Sequence, residues 1–214
     1  MKILRVGPPR GKLGYQRVVL EDGTVLRIRP DDVASLDLRA EMHVERTLLD
    51  HLRARETAAK AAEVAYRLLA IRMRTRRELA DRLRRRRIPP EAVDPLLDEL
   101  ERAGLLDDTR FAEAWVRRRI DLLPSGPVRL REELFKKGVA REVINQTLRA
   151  TLSAHDEEQL AFQVARARLR LYRGVAPEVA YRRLAGVLHR RGFSPGVVAH
   201  VLREVLGHPQ HTRE

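Results

Sequence analysis

Residues 130–148 read LREELFKKGVAREVINQTL. Leu130 and Leu134 stand four apart, Gly138 interrupts, and Val139, Ile144 and Leu148 resume an apolar pattern. Spacings of three and four residues place side chains on one helix face. A glycine behind Lys136-Lys137 reads as a helix stop. The stretch predicts two short helices joined by a tight turn. Shifted back by 51 residues, the five apolar positions hold Leu79, Leu83, Ile88, Val93 and Leu97. Shifted forward by 54, they hold Leu184, Leu188, Phe193, Val198 and Leu202. The turns align as well: RIPPEAV (87–93), GVAREVI (138–144) and GFSPGVV (192–198).

A first helix is expected ahead of each set, at about 57–73, 109–122 and 156–173. The fold expected is mainly α: three tandem three-helix repeats over 57–108, 109–155 and 156–207, with a tail at 208–214. Small units that bury their apolar faces against neighbours predict an elongated, curved body. The longer second interval is assigned to the loop Arg173-Gly174-Val175-Ala176. Residues 1–56 form an N-terminal extension. There ILRV, YQRVVL and TVLRIR are β-branched, and Glu21-Asp22-Gly23 signals a hairpin, so a small β element and a helix precede the repeats.

Helix ends are well marked. Thr75 and Glu78 read as a capping box. Pro90, Gly126-Pro127 and Ser194-Pro195 open helices, and Gly104, Gly138 and Gly192 close them. In GLLDDTRFA (104–112), Asp108 and Thr109 are expected to accept from the first amides of the next helix, and Phe111 and Trp115 to face its core.

Hydrophobic residues make up 43% of the 214 and aromatics 4%, so the core is aliphatic, as suits helix-on-helix packing. The formal charge is +13, nearly all from arginine, since lysine stands only at 2, 12, 60, 136 and 137. Such a balance points to a polyanion, most often nucleic acid. It is banded: 67–87 carries ten Arg against Glu78 and Asp81, and 166–191 eight Arg against Glu178. Residues 88–110 carry seven acids and two Arg. One cation compensates a helix C-terminus. Arg84-Arg85-Arg86-Arg87 exceeds that, and comparable clusters recur in the other repeats, so a phosphate-contacting surface is expected. Its members are Arg72, Arg74, Arg76, Arg77, Arg84, Arg85, Arg86 and Arg87 in repeat one. Repeat two adds Arg117, Arg118, Lys136 and Lys137, and repeat three Arg182, Arg183, Arg190 and Arg191.

Other chemistries fare poorly. Without cysteine there is no disulfide, thiolate zinc site or thiol nucleophile. Asp107-Asp108 lacks a third ligand at metal spacing, and His208 and His211 are a bare pair. GPPRGKL (7–13) has three residues between its glycines where a phosphate loop needs four, and Leu13 where Ser or Thr binds magnesium. No catalytic residue, cofactor or metal is expected. MKILRVGPPRGK has no apolar run for a signal peptide and no membrane span is visible, so a cytoplasmic protein is expected. Residues 130–148 also have the size of a helix–turn–helix, with Arg141, Asn145 and Gln146 within reach of bases. The equivalent helix of repeat one bears Glu91, Asp94, Asp98, Glu99 and Glu101, which DNA repels, so repeated base reading by third helices fails.

RLLAIRMRTRREL (67–79), GLLDDTRFAEAWV (104–116) and GPVRLREELFKKGV (126–139) resemble, in this order and spacing, three stretches of the RecX family of recombination regulators. Arg72, Arg74, Thr75, Glu78 and Leu79 match the first motif, and Leu106, Asp107, Asp108, Phe111 and Ala112 the second. Gly126, Pro127, Leu130, Glu133, Leu134, Lys137 and Gly138 match the third. The close match covers about 62–149; beyond it the apolar pattern carries the likeness. Many members have Lys-Gly where this chain has Arg86-Arg87. The resemblance implies a non-enzymatic, monomeric regulator of recombination, repair and the SOS response, without cofactor. Its partner would be the RecA recombinase filament on single-stranded DNA, whose ATPase, strand exchange and growth it would inhibit; double-stranded DNA is a further partner. Two other readings stand beside it: a sequence-independent DNA binder without a recombinase, and a helical adaptor for an acidic protein.

Overall fold

The chain begins with a three-stranded antiparallel sheet in the computed structural model, which describes residues 1–11, 14–154 and 157–207. Strands β1 (Ile3–Val6), β2 (Gln16–Leu20) and β3 (Val25–Ile28) lie in the order β1-β2-β3. Ile3 stands opposite Leu20, and Val18 opposite Leu26. At the β2–β3 turn the Asp22 carboxylate accepts from the Thr24 amide at 2.9 Å. Period-two alternation turns Val18, Leu20, Leu26 and Ile28 to one buried face. Val33 of helix α1 (Pro30–Ser35) and Leu49 and Leu52 of helix α2 (Arg46–Ile71) complete that core.

Helix α2 corrects one expectation. It runs 26 residues without a break, so the first helix of repeat one starts eleven residues earlier than expected. No glycine or proline stands between 46 and 71 to stop it. Thr57, where a start was read, returns its hydroxyl to the Arg53 carbonyl at 2.9 Å, an intrahelical bond. Farther along, Ala61, Ala65 and Leu68 enter a second core with α3 (Arg76–Arg84) and α4 (Pro90–Arg102), which holds Leu79, Leu83, Val93 and Leu97. One rigid helix thus serves both cores, and the sheet and repeat one cluster as a single unit, Met1–Arg74 with Glu78–Leu106.

The second unit is Thr75–Arg77 together with the chain from Asp107 on. It holds α5 (Asp108–Leu122), α6 (Pro127–Lys136), α7 (Arg141–Ala154), α8 (Glu157–Leu169) with a 3₁₀ turn at Arg170–Tyr172, α9 (Pro177–Arg190) and α10 (Pro195–Leu206). Repeats two and three share one continuous core, from Phe111 to Leu202. The five repeat positions are buried in all three repeats, none above 8% exposed. The extra residues of repeat three are in helix, not in the loop at 173–176: α9 has 14 residues and α6 has 10. An added turn near 3.6 residues keeps the apolar face in register, which is why the pattern survives it.

The expected start of α5 also shifts. Asp107 is the N-cap and accepts from the amides of Thr109 and Arg110, both at 2.9 Å. Asp108 instead accepts from the Arg76 amide at 2.8 Å, at the start of α3. Among the described residues no helix is long and apolar enough to cross a membrane. The tail at 208–214 with His208 and His211, and likewise His155, Lys12 and Leu13, lie outside the described residues, as does the expected 155/156 boundary.

Candidate nucleic-acid interface

Three of the basic clusters, Arg84–Arg87, Lys136-Lys137 and Arg190-Arg191, lie where second helices end. Arg87, Gly138 and Gly192 occupy equivalent positions and share the left-handed conformation, with φ of 59°, 85° and 78°. In the second unit this turn is packed against an earlier helix start. The Lys137 carbonyl accepts from the Thr75 hydroxyl at 2.6 Å, and the Arg191 carbonyl from the Gly126 amide at 2.8 Å. A Cβ at Gly138 would stand 2.2 Å from Arg77 Cδ, and one at Gly192 would stand 2.3 Å from the Arg129 amide nitrogen. In repeat one the position is Arg87, exposed along with Arg84, Arg85 and Arg86.

The sixteen candidate side chains divide into two groups. Arg77, Arg85, Arg86, Arg87, Arg118, Lys136, Arg182, Arg183 and Arg190 are exposed and form no ion pair among the described residues. The stem of Arg77 lies against Gly138, and Arg183 sits 5.9 Å from the Tyr172 ring centroid. The others are engaged. Arg84 reaches Asp94 at 3.8 Å and Asp81 at 3.9 Å, and Arg117 reaches Glu113 at 3.8 Å. Arg72 pairs with Glu78 at 3.0 Å. Arg76 is half-buried, and Lys137 lies 4.2 Å from the Trp115 ring centroid.

Two assignments to the surface are corrected. Arg74 is only 6% exposed, and its Nε donates to the Leu68 carbonyl near the end of α2 at 3.2 Å. Burial, then Arg72 and Arg82, lower its pKa from the ordinary guanidinium value. Arg191 is half-buried and donates to the Pro124 carbonyl at 2.9 Å. Its pKa is lowered by burial, with Arg168 and Arg129 adding. The sequence showed both as members of arginine clusters and carried no sign of which way each would point.

Beneath the surface, Glu133 organises repeat two. It accepts from Arg119 at 2.7 and 2.8 Å, from Arg129 at 3.0 Å and from Trp115 Nε1 at 3.1 Å. Burial pushes its carboxyl up, but the bonds from Arg129 and Arg119 outweigh that and hold it below the usual range. The Trp115 ring stacks on Phe111 at 6.1 Å. The described residues contain no group of three or more His, Cys, Asp or Glu placed to hold a metal. Acidic α4 exposes Glu91, Asp94, Asp98, Glu99 and Glu101.

Family models for the first, second and third three-helix domains of RecX match residues 61–100, 107–148 and 156–202. The chain is 40% identical to regulatory protein RecX of Thermobifida fusca over 148 residues, 69% of this chain and 80% of that one. It is 41% identical to regulatory protein RecX of Mycolicibacterium smegmatis over 165 residues, 75% and 86% of the two. A crystal structure of regulatory protein RecX superposes with a TM-score of 0.76 at 23% identity, covering 94% of this chain and 98% of that one. RecX from Lactobacillus salivarius gives 0.65 at 21%, covering 70% and 97%. Three matched domains in order, on relatives aligned over most of their length, place this chain in the RecX family of regulatory proteins.

Proposed function

We propose that this protein binds the filament that the RecA recombinase forms on single-stranded DNA and lowers its ATP hydrolysis, strand exchange and growth. It does so as a cytoplasmic monomer, with no chemistry of its own. The observation that carries this reading is the recurrence, near the end of the second helix, of exposed cations that form no ion pair among the described residues: Arg85–Arg87, Lys136 and Arg190, joined in repeat three by Arg182 and Arg183 from the middle of α9. Cations held this way are available to phosphates and steer encounter with a polyanion. The acidic face of α4 then meets protein or solvent, since phosphates repel it.

The test is a titration of the pure protein into preassembled RecA filaments while DNA-dependent ATP hydrolysis is followed. Strong suppression at well below one molecule per recombinase subunit supports filament-directed inhibition. No suppression, alongside salt-sensitive binding to free DNA, would favour a DNA binder that acts without a recombinase. Binding to neither DNA nor filament would leave the adaptor for an acidic protein.

A further inference from the structure

A groove between α6 and α7 is lined by none of the sixteen candidate cations. Phe135 keeps 51% of its surface exposed there, although it is a large aromatic in a chain with few. It lines an open groove of about 410 Å³ with Arg131, Glu132, Arg141, Ile144 and Asn145. A second depression of about 610 Å³, lined by Glu142, Asn145, Gln146, Arg149 and Ala150, continues it through Asn145. Arg141, Asn145 and Arg149 are exposed and stand four apart on α7, so they form one row with roughly 6 Å of rise between members. The Arg141 guanidinium carbon lies 5.7 Å from the Phe135 ring centroid. Among the described residues Arg131, Arg141 and Arg149 form no ion pair.

We propose that this groove is a nucleobase-stacking site for single-stranded nucleic acid, with Phe135 as the platform. The proposal rests on the nucleic-acid reading given above and adds a base contact to its phosphate contacts. The chemistry separates a base from other occupants. Two carboxylates, Glu132 and Glu142, line the groove beside the three guanidiniums, so it is a poor clamp for phosphate alone. A base stacks on aromatic and guanidinium planes, and its edge meets the amides of Asn145 and Gln146. An apolar helix docked on Phe135 would bury the flanking charges without partners. A duplex keeps its base faces stacked inside and offers none to the ring.

The site belongs to repeat two. Arg84 and His189 stand at the positions equivalent to Phe135. Pro90, Asp94 and Asp98 in repeat one, and Pro195, Ala199 and Arg203 in repeat three, replace the Arg141, Asn145, Arg149 row. The acidic helix of repeat one, which rules out base reading by all three third helices, says nothing against it in this one.

The experiment measures binding of the full chain to a labelled single-stranded oligonucleotide, to an abasic strand of equal length and charge, and to a duplex. Phe135→Ala is expected to weaken single-strand binding about 5- to 100-fold, the range for one stacked base, and to change duplex binding less than about twofold. Wild type should prefer the base-bearing strand, and Phe135→Ala should lose that preference. Phe135→Trp should restore binding, with its emission quenched by the base-bearing strand only. If wild type binds the strand and Phe135→Ala binds it equally, the base site is wrong and the filament reading stands. Equal losses on strand and duplex would also overturn it, by assigning Phe135 to folding or phosphate contact. If Phe135→Ala leaves DNA binding intact but weakens binding to free recombinase, the occupant is protein and the proposal falls. If wild type binds neither DNA nor filament, both readings fall.

Discussion

At the residue scale, the side chains that carry the family likeness work mainly in the architecture. Arg74 closes on the Leu68 carbonyl, Asp107 caps α5, Asp108 holds the Arg76 amide, and Glu133 ties Arg119, Arg129 and Trp115. Arg85, Arg86, Arg118, Arg182 and Arg183, which form no ion pair among the described residues, fall outside the three motifs. Glu133→Ala leaves two guanidiniums and an indole N–H without their acceptor, and should cost about 2–3 kcal/mol, read as a shift in the denaturant midpoint. Because the folded pKa of Glu133 is depressed, its contribution is complete above the unfolded carboxylate value of about 4.3. It is lost as pH falls from there through the folded value. Trp115, the one tryptophan of the chain, contacts Glu133 and reports this. Its emission should change on acidification below about pH 4.3, and flat emission through that range would contradict the assignment. Arg87 is a non-glycine residue at φ 59° in the turn where repeats two and three have glycine. Arg87→Gly should gain roughly 0.5–1 kcal/mol, strain relief outweighing the added freedom of the unfolded chain.

At the element scale, what distinguishes the turns is what packs on them. Gly138 faces the side chain of Arg77 and Gly192 the backbone of Arg129, so neither has room for a Cβ. Gly192→Ala must both hold φ 78° and displace backbone, and should cost about 3 kcal/mol or more in thermal unfolding. Gly138→Ala must hold φ 85° and meets Arg77 Cβ at 2.4 Å, an atom that moves only with its own backbone, so it should cost a similar amount, about 3 kcal/mol or more. A cost of only about 1–2 kcal/mol at both would mean that the left-handed conformation alone decides and close approach does not. Repeat positions, turns and most helix starts were legible in the sequence, because apolar period, proline and glycine are local signals. The merger of the N-terminal element with repeat one was not, because α2 contains no stop and its two apolar patches belong to different cores.

For the whole molecule, the consequence is electrostatic. Each phosphate contact to a single strand adds about 0.7 to the slope of log affinity against log salt. Replacing Arg85 and Arg86 together by Ala should therefore flatten the slope by about 1.4 and leave the circular dichroism spectrum unchanged, since both side chains are exposed. An unchanged slope would remove this turn from the interface. Charge reversal of Arg85, Arg86 and Arg87 to Glu should weaken suppression of the recombinase ATPase by at least about tenfold, given several lost contacts.

The sequence by itself determined the repeat. Fifteen apolar positions in three registers have one economical solution, and every one of them is buried. It also determined the sign and banding of the charge, which are properties of composition. Only the tertiary structure decided which arginines are available. Arg74 and Arg85 look alike in the sequence, but one turns inward to a helix carbonyl and the other to solvent. It likewise decided that Asp108 serves α3 rather than its own helix, and that Phe135 is left half-exposed beside the Arg141 guanidinium. A side chain's direction depends on neighbours dozens of residues away, and local pattern does not encode them.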